Sequence, residues 1–204
     1  MGRTANPATR DGLMEAAFDL VRAKGLAATS VDEICAAASV SKGAFFHHFK
    51  SKEQLAAAAA DHWSETTGRM FEAAPYHDAD DPLDRVLGYI AFRAQLIDGA
   101  PQAFTCFVGT MVQEAYATSP AVQAACWNSI SGHAERLVED IEAAVARYGI
   151  DADWSARSLA LHTQAVLQGA FILAKASGEP EAARDTVHHL KRYVELLFGR
   201  TGRA

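Results

Sequence analysis

The chain has 204 residues, enough for one domain or two small ones. Half of the residues are hydrophobic and 22% are charged, an ordinary globular composition that excludes bulk disorder. The formal net charge of -6 argues only weakly against a nucleic-acid partner, because an average over the chain hides any single basic face. The first 53 residues carry seven Lys and Arg against six Asp and Glu, whereas the remainder carries twelve against nineteen. The acidity therefore belongs to the longer C-terminal part.

The three cysteines, Cys35, Cys106 and Cys126, are too few and too scattered for a disulfide framework. The first residues are polar and lack the apolar segment of a secretory signal. No apolar run reaches the length of about 18 residues that a membrane span needs. We therefore expect a cytoplasmic protein without a membrane partner.

The spacing of apolar residues predicts helices throughout the chain. Each of the six prolines falls at or beside a plausible helix boundary, and no β-branched stretch alternates with the period of a strand. The predicted fold is all-α, with about nine helices and a polar linker over 75–82. The helices cover about 9–24, 30–38, 42–48, 51–73, 83–98, 102–118, 121–148, 154–177 and 181–198.

Two short helices near the N-terminus are set close together. Ser30 with Glu33 three residues later forms a capping box that begins the first, and Ser41 caps the second. Small residues around Cys35 and Ala38 allow two helices to cross closely through a short turn. This arrangement is typical of a helix-turn-helix, and it predicts an N-terminal domain of three helices over residues 1–53.

The second short helix presents polar and small residues near its N-terminus, where free N–H groups and the positive end of the dipole favour phosphates. Gly43 and Ala44 are small enough for the backbone to approach base edges. The outward-facing residues of this helix are Lys42, Gly43, Ala44, His47 and His48.

Residues 27–53 read AATSVDEICAAASVSKGAFFHHFKSKE and resemble the DNA-binding signature of TetR/AcrR transcriptional regulators. The resemblance covers about residues 9–60, and the helical layout fits the family's plan of nine helices. It implies a regulator that binds double-stranded DNA, most often as a repressor. By position, it implies phosphate contacts from Ser30, Ser41, His47 and Lys52, base-facing positions at Lys42, Gly43 and Ala44, and the usual histidine of the motif at His48.

Three residues depart from the family pattern. Ser39 stands where glycine is usual in the turn, and Phe46 lacks the hydroxyl of the usual tyrosine. His47 replaces a second tyrosine, and because protonation adds a positive charge we expect DNA affinity to strengthen at mildly acid pH. Arg3 and Arg10 are candidates for a basic arm on the DNA, with a frayed polar tail as the simpler alternative.

A single short helix-turn-helix makes few base contacts, so we expect a homodimer on a palindromic operator. The last two helices carry apolar or small residues at helical spacing, which predicts an intersubunit four-helix bundle. The alternative is that these stripes pack only within their own subunit. The predicted interface residues are Val166, Gly169, Ala170, Leu173, Val187, Leu190, Val194 and Leu197.

The remaining part, residues 54–204, is predicted to bind a small-molecule effector as well as to dimerise. Its middle helices are rich in large apolar residues with interleaved polar groups, a composition suited to a ligand cavity. Ordinary core packing is the competing interpretation for each single residue. The predicted pocket residues are Trp63, Met70, Phe71, Phe92, Phe104, Phe107, Met111, Trp127 and Gln168.

These features predict a repressor that a small apolar effector releases from DNA, with the helix over 52–73 as the lever. One alternative is a thiol switch at Cys106 or Cys126, although small buried hydrophobes are the simpler interpretation of both. Another is a partner-docking or enzymatic helical domain with a DNA-binding head. We expect no enzyme, no cofactor and no metal, because the sequence lacks GxSxG, HExxH, P-loop and GxGxxG motifs.

Overall fold

A computed structural model describes residues 6–200. Within that range the chain forms ten α-helices, one short 3-10 helix (η1) and no strand, which confirms the predicted all-α fold. None of these helices combines the length and the hydropathy needed to cross a membrane. The helices are α1 (Pro7–Lys24), α2 (Val31–Ala37), α3 (Lys42–His48), α4 (Lys52–Glu72), η1 (Pro75–Asp78), α5 (Pro82–Gln95), α6 (Pro101–Phe104), α7 (Phe107–Ala115), α8 (Pro120–Tyr148), α9 (Ala156–Ser177) and α10 (Glu181–Leu197).

The tenth helix arises because the segment predicted as one helix over 102–118 divides at Thr105 and Cys106. Cys106 has extended backbone angles, φ -76 and ψ 124, and its Sγ accepts a hydrogen bond from the Gly109 N–H at 3.4 Å. Cys106 is therefore the N-cap of α7. Cysteine is not among the residues that usually cap helices, so the sequence offered no sign of this boundary.

The predicted linker over 75–82 contains one turn of structure, η1, with Pro75 at its first position. Asp81 then caps α5, because its Oδ1 accepts a hydrogen bond from the Leu83 N–H at 2.9 Å. Pro75 begins η1 and Pro82 begins α5. Neither proline costs a hydrogen bond, since the first N–H groups of a helix have no partner within it.

The chain divides into two compact units whose boundaries differ from the expected division at residues 53 and 54. Among the described residues, the head unit contains 6–67 together with 105–130, and the body unit contains 68–104 together with 131–200. Residues of α7 join the head because Phe107 packs edge-on against Phe18 of α1, with 4.9 Å between the ring centroids.

The core of the head unit is built from the apolar faces of α1, α2 and α3. Leu13, Ile34 and Phe45 are fully buried there, one from each helix. Trp63 of α4 packs edge-on against Phe18 at 5.1 Å. Burial of a side chain of this size contributes about 1.5–3 kcal/mol, so this core fixes α3 against the other two helices.

The core of the body unit forms where α10 packs on α9 and α5. Val187, Leu190 and Val194 of α10 are buried there, as are Leu167 and Ala170 of α9. The stripe on α10 therefore faces its own subunit.

Candidate nucleic-acid interface

The first helix of the motif, α2, begins at the predicted capping box. Ser30 Oγ accepts a hydrogen bond from the Glu33 N–H at 3.2 Å, and the Glu33 carboxylate accepts one from the Ser30 N–H at 2.9 Å. Lys24 also donates to this carboxylate, and these hydrogen bonds, led by that from Lys24, lower the pKa of Glu33 to about 2. The box is confirmed, and it holds the Ser30 hydroxyl at the exposed start of α2.

The turn between α2 and α3 contains a strained residue. Ser39 has a φ of 56, in the left-handed region that disfavours every residue except glycine. The turn is closed by hydrogen bonds from the Ser39 N–H to the Ala36 carbonyl at 3.1 Å and from the Val40 N–H to the Cys35 carbonyl at 2.9 Å. Ser39 thus adopts the positive φ that glycine adopts most readily.

The second helix of the motif, α3, is buried on one side and exposed on the other. Phe45 and Phe49, the residue that ends α3, are buried in the head core. Ser41 Oγ accepts a hydrogen bond from the Ala44 N–H at 3.2 Å, so the predicted cap of α3 is confirmed. Of the residues predicted to face outward, Lys42, Gly43 and His47 are exposed, whereas Ala44 and His48 are half-buried. Ser41 is exposed as well.

Two lysines of the predicted interface contact the protein itself. Lys42 Nζ lies 2.8 Å from Asp32 Oδ1 of α2, and this carboxylate raises the pKa of Lys42. Lys52 Nζ donates to the carbonyls of Leu26 at 2.9 Å and Thr29 at 2.8 Å. The Lys52 ammonium therefore fixes the segment that leads into α2, although the family resemblance implied a phosphate contact.

The same loop, residues 25–29, is held from its other side by α7. The Glu114 carboxylate accepts a hydrogen bond from the Ala27 N–H at 2.7 Å. Gly25 has a φ of 87, and a Cβ at this position would overlap with Glu114 Oε1. Neither Gly25 nor Glu114 was predicted to matter for the motif, because α7 is remote in sequence.

Of the two arginines of the candidate basic arm, the structure describes only Arg10. Arg3 lies outside the described residues. Arg10 belongs to α1, where its guanidinium lies 5.3 Å from the centre of the Phe49 ring. Arg10 therefore packs on the head core and does not extend from it as an arm.

The nine residues predicted to line an effector pocket do not belong to one unit. Trp63, Phe107, Met111 and Trp127 lie in the head, whereas Met70, Phe71, Phe92, Phe104 and Gln168 lie in the body. In the head, Phe107 and Met111 are core residues, and Trp127 is exposed. A groove of about 280 Å³ between α5 and α10 of the body is lined by none of them, but by Ile90, Ala91, Ala94, Gln95, Val187, His188 and Lys191.

The body residues of the predicted set include an aromatic cluster around Phe71. Its ring centroid lies 5.4 Å from Tyr89, 5.5 Å from Phe92 and 5.2 Å from His133. Arg93 extends over the Phe71 ring at 4.9 Å. Burial, with a smaller effect of the Arg93 and Arg136 charges, lowers the pKa of His133 to about 3.

The sequence analysis missed Arg93 and Tyr89 as members of this cluster. One signal was available, because Arg93 is the only charged residue between Arg85 and Asp98. A lone cation within an apolar helical stretch indicates a specific environment, since a buried charge is costly unless it is paired.

The predicted dimer interface is only partly consistent with the structure. Val187, Leu190, Val194 and Ala170 are buried within their own subunit, because α10 packs on α9 and α5, so they cannot present side chains to a partner. Val166, Gly169 and Leu197 are half-buried, and Leu173 is 49% exposed. Two other large apolar residues of α9 and α10, Ile172 and Leu196, are more exposed than any predicted one, and Tyr193 is exposed as well.

A helix-turn-helix with an anchored core face and an open second helix defines a DNA-binding regulator. Residues 13–59 match the family model described as bacterial regulatory proteins, tetR family, and residues 82–190 match the model described as Tetracyclin repressor-like, C-terminal domain. The second match covers more than half of the chain. The chain therefore belongs to the TetR family.

Similar proteins support the assignment over different parts of the chain. The HTH-type transcriptional repressor Rv3405c of Mycobacterium tuberculosis is 39% identical over 90 residues, which are 44% of this chain and 47% of that repressor. The chain thus spans about half the length of this relative. The transcriptional regulator AcuR of Cereibacter sphaeroides is 26% identical over 188 residues, covering 92% of this chain and 82% of AcuR.

Solved structures share the fold over nearly the whole chain. A TetR-family regulator from Agrobacterium tumefaciens has a TM-score of 0.79 at 19% identity and covers 92% of this chain and 98% of its own. A TetR regulator from Chloroflexus aurantiacus has a TM-score of 0.76 at 25% identity and covers 91% and 93%.

Proposed function

We propose that this protein is a ligand-responsive repressor that binds a palindromic operator as a homodimer and is released by a small effector. The observation that carries the proposal is the open N-terminal end of α3, held by Phe45 and Phe49 in the head core. Gly43 has only Ser41 Oγ near the position of a Cβ, at 3.8 Å, so its backbone is free to approach a base edge. The mycobacterial relative Rv3405c is a transcriptional repressor, which supports the repressor role.

The proposed contacts follow the exposure of each residue. The Ser30 and Ser41 hydroxyls and the His47 ring are assigned to phosphates, and the base-facing part of α3 runs from Lys42 to Ala44. His48 is half-buried and sits beside Phe49, so it supports the end of α3. Phosphate contacts position a protein on DNA, and base contacts determine its sequence preference. Removal of a phosphate contact should therefore weaken binding to all DNA, whereas removal of a base contact should change sequence preference.

Lys42→Ala and Lys52→Ala test the assignment on an operator obtained by selection from random DNA. Loss of Lys42 should relax sequence preference, at a cost of about 1–3 kcal/mol on the preferred site. Loss of Lys52 frees the 25–29 loop, so binding should weaken on operator and random DNA alike while the salt dependence stays that of the wild type.

The measurement is fluorescence anisotropy of labelled DNA over a range of salt concentrations. A direct phosphate contact at Lys52 would instead lower the salt slope by about one. Wild-type affinity and preference in both variants would contradict the proposed interface. His47→Gln removes the proposed phosphate contact of this ring, and any gain in operator affinity between about pH 8 and pH 6 should be absent from the variant.

The proposed route from effector to DNA is α4. This helix begins at Lys52, which contacts the loop before α2, and its last residues, including Phe71, belong to the body unit. At about 1.5 Å per residue α4 spans roughly 30 Å, so a small tilt moves its end by some ångströms. Two recognition helices read successive major grooves only when they are about 34–36 Å apart, so such a movement would lower operator affinity.

A second candidate is a thiol-switched repressor, and we propose Cys106 as its sensor in preference to Cys126. Burial raises the pKa of the Cys126 thiol to about 12, so it stays protonated and unreactive at neutral pH. Cys106 is partly exposed and its Sγ faces the N–H groups that begin α7. If this candidate is right, peroxide releases the operator from wild type and Cys126→Ser, and leaves it bound to Cys106→Ser.

A further inference from the structure

Arg93 is the one half-buried arginine in the described part of the body unit that forms no ion pair; Arg69 and Arg192, which also form none, are exposed. Six others form ion pairs with carboxylates, among them Arg85 with Asp140 at 2.6 Å and Arg136 with Glu72 at 2.7 Å. Arg93 pairs with no carboxylate anywhere in residues 6–200, and its buried Nε–H has no acceptor there. The six paired arginines are Arg85, Arg136, Arg147, Arg157, Arg184 and Arg200.

Three aromatic rings, and no carboxylate of the described residues, lie beside this half-buried side chain. The Arg93 Cζ lies 4.9 Å from the centre of Phe71, 5.8 Å from Tyr89 and 5.9 Å from Phe171. The three rings come from α4, α5 and α9, so they approach Arg93 from separate helices of the body. Ring faces offset part of the cost of removing a cation from water, but they accept none of its hydrogen bonds in the plane of the guanidinium.

A second polar group of the same cluster also has an unused donor. Tyr89 is buried, and its hydroxyl oxygen accepts a hydrogen bond from Gln164 Nε2 at 2.9 Å. No acceptor for the hydroxyl hydrogen occurs in the part of the chain that the structure describes. A buried donor without an acceptor is costly, so a group that accepts from both Arg93 and Tyr89 would be stabilised here.

The chemistry of the cluster selects a monoanion with an apolar body. A carboxylate has two oxygens that match the fork of a guanidinium, and it carries the single charge that Arg93 can balance. His133 in the same cluster stays uncharged at neutral pH, so it provides no second cation. A dianionic phosphate would leave one charge uncompensated among aromatic rings, which is costly.

We propose that Arg93 and Tyr89 bind the carboxylate of a small apolar acid within the body unit, with Phe71 and Phe171 against its apolar part, and that such an acid is the effector. The effector role rests on the proposed repressor function, whereas the binding site does not. The site joins residues of α4, α5 and α9, and occupancy would change the packing at the C-terminal end of α4.

The binding test uses isothermal titration calorimetry with three probes, benzoate, phenylacetate and hexanoate, and with the neutral analogue benzamide. Wild type should bind at least one of the acids and discriminate against benzamide. Arg93→Gln should weaken that binding about tenfold or more, as expected for loss of a charge-assisted bidentate contact, and Tyr89→Phe by a smaller factor. Arg192→Gln removes an exposed arginine on α10 and should bind the acid as wild type does.

Arg93→Lys keeps the charge without the fork, and it should bind with intermediate affinity if the variant with glutamine is unstable. Thermal melting of each variant without ligand shows whether it is folded. Failure of all three acids to bind wild type overturns the proposal, as does equal affinity in wild type and a folded Arg93→Gln or Arg93→Lys.

The effector role is tested separately by adding the bound acid to the protein–operator complex. Release of the operator from wild type, but not from Arg93→Gln, supports it. Binding of the acid without any change in operator affinity overturns the effector role, whereas the proposed binding site is still supported. Absence of operator binding by the free protein overturns the repressor function, while calorimetry still reports on the site.

Discussion

Ser39 holds the turn of the DNA-binding motif in a conformation that costs a non-glycine residue about 1–2 kcal/mol. Its side chain is exposed, so it can be replaced without loss of core contacts. Glycine removes the strain but adds about 0.5–1 kcal/mol of backbone entropy to the unfolded chain. The strain that glycine relieves is larger than this entropy cost, so the folded protein should be more stable with glycine at position 39.

Ser39→Gly should therefore raise the free energy of unfolding by about 0.5–1 kcal/mol, measured by urea denaturation. Ser39→Val is the matched control and should lower it, because a β-branched residue tolerates a positive φ least. A variant with glycine that is less stable than wild type would show that Ser39 is not strained.

His133 links the stability of the body unit to pH. Its pKa is lowered from about 6.5 in the unfolded chain to about 3 in the folded protein, chiefly by burial. The unfolded state therefore takes up a proton first as the pH falls. From about pH 6.5 down towards pH 3, each unit of pH should cost the folded protein about 1.4 kcal/mol through this residue.

His133→Gln removes the titrating group while leaving a neutral polar side chain. Its unfolding free energy should fall less steeply than that of wild type between about pH 6.5 and pH 5, in urea melts at several pH values. Parallel curves for the two proteins over this range would contradict the lowered pKa.

At the scale of elements, the loop between α1 and α2 is held by contacts from α4 and α7. Gly25 combines a positive φ with a near contact to Glu114, whose carboxylate holds the Ala27 N–H. Gly178 at the end of α9 has a similar φ of 82, but nothing lies near its Cβ position. A side chain would therefore strain the backbone at both positions, but it would displace a neighbour only at Gly25.

Both Gly25→Ala and Gly178→Ala should lose about 1–2 kcal/mol of stability through strain. Gly25→Ala should lose more, because Glu114 must move and release its hydrogen bond. The excess over Gly178→Ala should vanish when Gly25→Ala is measured in a Glu114→Ala background. An unchanged excess in that double-mutant cycle would assign the cost to other neighbours.

The helices and the caps could be predicted from sequence because they depend on local spacing. The Ser30–Glu33 box and the Ser41 cap follow from residues three positions apart. Which face of a helix meets which partner depends on tertiary packing, which a single sequence does not contain. Val187 and Leu190 have the spacing of an interface stripe, yet α5 and α9 of the same subunit cover them. Arg93 was missed for a related reason, since two of its three aromatic neighbours, Phe71 and Phe171, come from other helices.

At the scale of the whole molecule, dimerisation is expected through the outer faces of α9 and α10. Leu173 is 49% exposed and Leu196 is 64% exposed, and Tyr193 packs beside His162 with 5.3 Å between the ring centroids. Exposed apolar residues grouped on two adjacent helices are typical of a surface that a partner covers.

Leu196→Glu should shift the protein from dimer to monomer in sedimentation velocity, because an uncompensated carboxylate is costly in an apolar interface. Operator affinity should fall with it. Leu96→Glu places the same charge on an exposed leucine just after α5, and the dimer should persist. Dissociation by both variants, or by neither, would place the interface elsewhere.

The head unit is discontinuous in sequence, since residues 105–130 complete a core that α1 to α4 begin. A chimaera that transplants only the contiguous N-terminal segment would leave the Phe18 and Trp63 rings without Phe107. Exchange of DNA specificity between such regulators therefore requires either grafting α3 alone or carrying α7 along with the motif. The same arrangement means that a substitution in α7 can alter operator affinity without touching DNA or effector.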